Sequence, residues 1–125
     1  MTYFMYPSVD KSETFEDLVI WQKSRQLIVE IYKLTEPFPQ QEAFDLVSRL
    51  RCEAVSVAAN IEEGLKKKSN ADQWLFFNKS QGSLEELRNH LILAKDLGYG
   101  ETKDLMAEVD EIARMLNEYN KSSND

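Results

Sequence analysis

Apolar residues return every three or four positions in four long stretches of this chain, and Pro, Gly and Ser fall between the stretches. That period belongs to an α-helix with one face turned inward. The stretch 49–64, RLRCEAVSVAANIEEG, shows it most clearly. There Val47, Leu50, Ala54, Val57 and Ile61 make an apolar stripe, and Ala58 and Ala59 leave room for a neighbouring helix. A polar row of Arg49, Cys52, Ser56, Asn60 and Glu63 runs beside the stripe. A buried polar group without a partner costs about 1–3 kcal/mol, so the row is expected to find partners across a helix contact and to set its register.

The other three helices follow from the same period. Between Phe15 and Leu34 there are two stripes, Leu18, Trp21, Ile28 and Tyr32 beside Ile20, Leu27, Ile31 and Leu34, which predicts a helix covered on more than one side. Thr14 with Asp17 three residues on is its N-cap, and Pro37 and Pro39 close it. The second helix then runs from after Pro39 to Lys67. Ser69 and Asp72 resemble a capping box and open a third helix that ends at Leu97-Gly98-Tyr99-Gly100. Its expected stripe is Phe76, Ser80, Ser83, Leu87 and Ala94, flanked by Phe77, Leu84 and Leu91. Gly82 costs about 1 kcal/mol relative to Ala in mid-helix, a cost that a close helix contact would justify. The fourth helix, Glu101 to Tyr119, carries the narrow seam Leu105, Val109, Ile112, Leu116 and Tyr119.

Short connections force neighbouring helices antiparallel, so the expected fold is all-α, an up-down-up-down four-helix bundle over residues 15–119. Residues 1–14, with Pro7 and no period, predict an irregular arm, and residues 120–125 a polar tail. If the turn between the second and third helices centres near Lys68, Arg49 lies level with Glu86, and Glu53 opposite Ser83.

Composition narrows the class. The chain has 125 residues, 42% hydrophobic and 30% charged, the range of a single globular domain. Its net charge is -7, spread unevenly. Residues 1–44 contribute -3 and residues 101–125 contribute -4, while 45–100 hold eight basic against eight acidic residues. Indiscriminate phosphate binding needs clustered positive charge, so it is disfavoured except on a local surface of the neutral middle. The single cysteine, Cys52, makes no internal disulfide and reads as a small core residue. No signal peptide is readable, and no apolar run exceeds four residues, as at Leu18 to Trp21 and Trp74 to Phe77, far short of a membrane span. A cytoplasmic protein is expected.

Four patches together carry a family resemblance: Phe15 to Lys23 (FEDLVIWQK), Leu50 to Gly64, Gly82 to Leu87 (GSLEEL) and Leu97-Gly98-Tyr99. They resemble the bacterial four-helix-bundle family of 23S rRNA intervening-sequence proteins, also labelled S23. The matching polar and glycine positions are Asn60, Glu63, Gly64, Gly82, Ser83 and Glu86. Where that family commonly has arginine, alanine, proline and alanine, this chain has Cys52, Glu53, Ala58 and Glu62, losing a cation and gaining two acids. The resemblance implies a homo-oligomer, a pentamer by family precedent, with no catalytic activity and no cofactor. The fold is also similar to the accessory protein of diversity-generating retroelements, a basic pentamer that binds nucleic acid.

Three function classes are therefore weighed. The first is a homo-oligomeric interaction protein that buries its surplus apolar stripes between subunits. The second is a nucleic-acid or ribosome-associated binder using Arg49, Arg51, Lys66, Lys67, Lys68, Lys79 and Arg88, although Lys66–Lys68 equally suit the negative end of a helix dipole. The third is an enzyme. Glu62, Glu63, Glu85 and Glu86 invite comparison with di-iron bundles, but those use two Glu-x-x-His pairs and the only histidine, His90, lies four residues after Glu86. With no Gly-rich phosphate loop and no nucleophile elbow, no catalytic residue, cofactor or metal ligand is assigned.

Overall fold

Thr14 accepts a hydrogen bond from the Asp17 amide at 3.2 Å while the Asp17 carboxylate accepts from the Thr14 amide at 3.0 Å. This reciprocal cap satisfies two otherwise orphaned N–H groups and starts the first helix where the sequence placed it. The computed structural model describes residues 14–123, with side chains as far as Tyr119. The arm at residues 1–13 lies outside the described residues. Four helices follow: α1 (Phe15–Thr35), α2 (Leu46–Lys66), α3 (Asn70–Asp96) and α4 (Lys103–Ser123).

Each helix packs on its neighbours in sequence, and α4 returns to α1, so the bundle is up-down-up-down and antiparallel. α2 and α3 share the most extensive contact, whereas α1 and α3 stand at opposite corners without touching. Between the helices lies one core, in which Ile20, Leu27, Ile31, Leu50, Val57, Ile61, Phe77, Leu84, Leu87, Leu91, Ile112 and Leu116 are essentially inaccessible to water.

The predicted elements hold, with local differences. A short 3-10 turn, Gln40–Glu42, precedes α2, which begins at Leu46 rather than directly after Pro39. α4 continues to Ser123, through the first part of the expected tail, because residues 120–123 contain no helix breaker. On α3 the inward stripe is Phe77, Ser80, Leu84, Leu87, Leu91 and Ala94, so Phe77 and not Phe76 fills the core. Adjacent residues differ by about 100° around a helix, and two phenylalanines in a row leave the sequence pattern undecided between them. Cys52, expected inside, is exposed; it lies on the outer side of α2, two residues before buried Ala54.

The end of α3 shows why its terminal motif has that form. Gly98 adopts a left-handed φ of 77°, its amide bonds the Lys95 carbonyl at 2.9 Å, and the Tyr99 amide bonds the Ala94 carbonyl at 3.0 Å. This pair of bonds satisfies carbonyls at the helix end, and glycine takes the left-handed position without steric cost. Tyr99 is thereby aimed at the α1–α2 connection, where its ring meets Phe38 at 5.2 Å and its hydroxyl donates to Glu42 at 2.6 Å.

Candidate functional site

Of the polar row that the sequence isolated, Ser56 and Asn60 lie at the α2–α3 contact, while Arg49, Cys52 and Glu63 are exposed and make no bond across it among the described residues. Ser56 and Ser83 join their hydroxyls at 2.8 Å, and Asn60 donates to the Ser56 carbonyl at 2.9 Å and to its hydroxyl at 3.3 Å. Deeper in, Ser80 is fully buried and donates across the contact to the Val57 carbonyl at 2.8 Å. Toward the turn the helices come closer still: a Cβ on Gly64 would meet the Phe77 ring at 2.5 Å. Asn60, Gly64 and Ser83 are therefore fasteners of the bundle.

At the other end of this seam the His90 Nδ1 lies 2.7 and 2.9 Å from the two carboxylate oxygens of Glu53. Burial pushes the Glu53 carboxyl above its ordinary value, and the His90 contact partly offsets that. The sequence pattern missed this pair. It had set Glu53 against Ser83 and Arg49 against Glu86, whereas Ser83 faces Ser56 and Arg49 is bound by Asp45 at 2.8 Å. The cause is the connection: Lys67 and Ser69 are both extended, with ψ near 144° and 146°. Extended residues advance about 3.3 Å each instead of the helical 1.5 Å, which carries the start of α3 beyond the end of α2.

Ser83 and His90 do not make a nucleophile–base pair. They lie seven residues apart on one helix, about 10 Å along its axis, too far for the histidine to take a proton from the serine. Among the described residues no group of three or more His, Cys, Asp or Glu is arranged to hold a metal ion.

The seven candidate nucleic-acid cations do not converge on one surface. Arg88 pairs with Asp110 on α4 at 3.0 Å. Arg51 is half-buried, donates to the Thr35 hydroxyl at 2.9 Å, lies 4.3 Å over the Tyr32 ring and approaches Glu36 at 3.8 Å. Arg49 is held by Asp45 at 2.8 Å, and the remaining four gather at the α2–α3 turn. Lys67 and Lys79 flank the Phe76 ring at 5.0 and 4.8 Å, Lys67 also pairs with Glu63 at 3.4 Å, and Lys66 and Lys68 are exposed beside them.

Three of the family-pattern positions point outward. Glu63 and Glu86 are exposed, and Gly82 has nothing within 4 Å of where a Cβ would stand, so the close helix contact expected there is absent within the chain. Along the outer side of α3 and at its C-cap, Leu75 before Gly82 and Ile92, Leu93 and Leu97 after it are each between 40% and 49% exposed. The outer face of α1 carries Leu18, Val29 and Tyr32, 36% to 46% exposed, with half-buried Ile28 between them. Phe44 on the α1–α2 connection is 98% exposed. No helix among the described residues is long and apolar enough to cross a membrane.

Residues 16–118 match the sequence model of a family described as 23S rRNA-intervening sequence protein. A solved crystal structure, of a protein with unknown function from the S23 ribosomal protein family of Bacteroides thetaiotaomicron VPI-5482, superposes with a TM-score of 0.78 at 22% identity. The overlap covers 86% of this chain and 99% of that one. At that identity the likeness establishes the shared fold. No curated protein matches the chain.

Proposed function

Because this chain belongs to the 23S rRNA-intervening sequence protein family, we propose that it is a non-enzymatic cytoplasmic protein that works as a homo-oligomer, a pentamer on the family resemblance. The supporting observation is the pair of apolar faces left outside the core, Leu18, Val29 and Tyr32 on α1 and Leu75, Ile92 and Leu93 on α3. Each exposed side chain of this size gains about 1.5–3 kcal/mol on full burial. Scattered single residues need no partner, but rows on two helices mark an association surface. Light scattering after size exclusion is the test. The proposal requires a mass several times the 14.5 kDa of one chain, and a single-chain mass at micromolar concentration overturns it.

A second reading has its own observation, the gathering of Lys66, Lys67, Lys68 and Lys79 about Phe76. Cations around an aromatic ring suit a single-stranded nucleic acid, whose phosphates and bases use both. Repeated around an oligomer, the cluster would multiply. Titration with ribosomal RNA fragments at two salt concentrations tests it, since phosphate contacts release counterions and weaken steeply with salt.

A further inference from the structure

We propose that the two outer faces are complementary halves of one interface, so that the α1 face of one copy seats on the α3 face of the next. This rests on the homo-oligomer reading and specifies its partner surface. Three observations on the chain carry it.

The first is placement. α1 and α3 occupy opposite corners of the bundle and do not touch. Their outer faces therefore cannot cover one another within a chain. They also cannot both be covered by a single neighbour that pairs through one two-fold contact. Two different faces on opposite sides make a head-to-tail contact, which closes into a ring when the rotation between copies allows.

The second is shape. On α1 the row Leu18, Ile28, Val29 and Tyr32 is a ridge of large side chains. On α3, Leu75 lies seven residues before Gly82 and Leu93 eleven after, close to two and three helical turns, so all three share one face, and nothing within the chain lies near the missing Cβ. A helix crossing at Gly82 can approach more closely than at any residue with a side chain. Nothing inside the chain explains a glycine there, in the middle of a 27-residue helix.

The third is charge. Arg25, between Leu18 and Ile28 on the α1 face, lies 5.3 Å over the Trp21 ring and forms no ion pair among the described residues. Glu85 and Glu86, one turn from Gly82, are exposed and likewise form none. Setting α1 against α3 brings Arg25 opposite Glu85 and Glu86, so this pairing places unlike charges face to face, whereas an α1–α1 contact centred on Arg25 would bring two cations together.

Two single variants and their mixture test this. Val29→Asp breaks the α1 face and Gly82→Arg fills the α3 face; circular dichroism confirms that each is helical, and Leu18→Asp gives an independent break of the α1 face. Masses are read by sedimentation velocity. In the proposed arrangement each variant alone runs as single chains, while an equimolar mixture forms two-chain complexes, because the intact α3 face of one meets the intact α1 face of the other. Either variant assembling like the unaltered protein overturns the proposal and leaves the oligomer reading standing. Either variant forming two-chain complexes on its own shows that each face meets its own kind, and a mixture that stays as single chains shows that the two intact faces do not meet; both results overturn the proposal. Single chains in the unaltered protein remove the oligomer reading itself, and this proposal with it.

Discussion

Gly64→Ala adds one methyl group at the tightest point of the bundle. Its carbon would lie 2.5 Å from Cε1 and 2.6 Å from Cδ1 of Phe77, and 3.4 Å from the Gln73 carbonyl. Carbon atoms rest at about 3.5–4.0 Å, so the ring must retreat by about 1 Å. It has little freedom to do so, being fully buried and held edge-on against Tyr119 at 5.1 Å, while the Tyr119 hydroxyl is tied to Asp17. Overpacking of this kind costs about 1–3 kcal/mol. Alanine recovers up to about 1 kcal/mol of helix propensity, less here because Gly64 lies in the last turn. The expected net loss is therefore about 1–2 kcal/mol, a fall in thermal midpoint of about 3–10 °C for a chain of this length. Urea denaturation of Gly64→Ala, Phe77→Leu and the double variant isolates the cause. Shortening Phe77 makes room, so Gly64→Ala should cost at least about 1 kcal/mol less in the Phe77→Leu background. A neutral or stabilising Gly64→Ala, or equal costs in both backgrounds, would refute the steric reasoning.

Glu108 is lifted to about 7 by burial and by its contact with the Glu30 carboxyl, against an ordinary 4.5. The folded chain then holds more protons than the unfolded one between those values, so stability falls as pH rises from about 4.5 to about 7 and levels off above. Glu30, held low by the same contact, acts below that window. Glu108→Gln should flatten the slope and, allowing for solvent screening, raise stability at pH 8 by about 1 kcal/mol; thermal midpoints at pH 5 and 8 check this. Arg51→Met keeps the aliphatic stem but removes the 2.9 Å bond to Thr35 and the stacking on Tyr32. An expected loss of about 1–2 kcal/mol in urea denaturation follows. RNA binding at low salt should be weak and vanish near physiological salt, since Arg49, Arg51, Lys67 and Arg88 already have acidic partners; tight, salt-resistant binding lost in Lys67→Ala/Lys79→Ala would reverse the ranking of the two readings.

The helices, their antiparallel order and three of their ends were legible because each has a local cause. Thr14 and Ser69 cap, and Gly98 turns left-handed. Which of two adjacent apolar residues enters the core was not legible where both are large, as with Phe76 and Phe77. The register of α3 on α2 depends on how far the backbone advances through residues 67–69, which residue spacing does not encode, and so the Glu53–His90 pair was missed. Gly82 misled for a different reason. Its helical cost is readable in the sequence, but among the described residues no contact explains it. Of the seven cations, Lys66–Lys68 stay beside the α2–α3 turn as their spacing requires, while Arg51 and Arg88 are drawn into contacts with α1 and α4 that only the tertiary fold reveals.

The central claim, that the outer faces of α1 and α3 are subunit contacts, is tested most directly by native mass spectrometry of the unaltered protein at micromolar concentration. The predicted result is one closed species, five times the 14.5 kDa chain, with no ladder of larger assemblies. A spectrum holding only the single chain would contradict it.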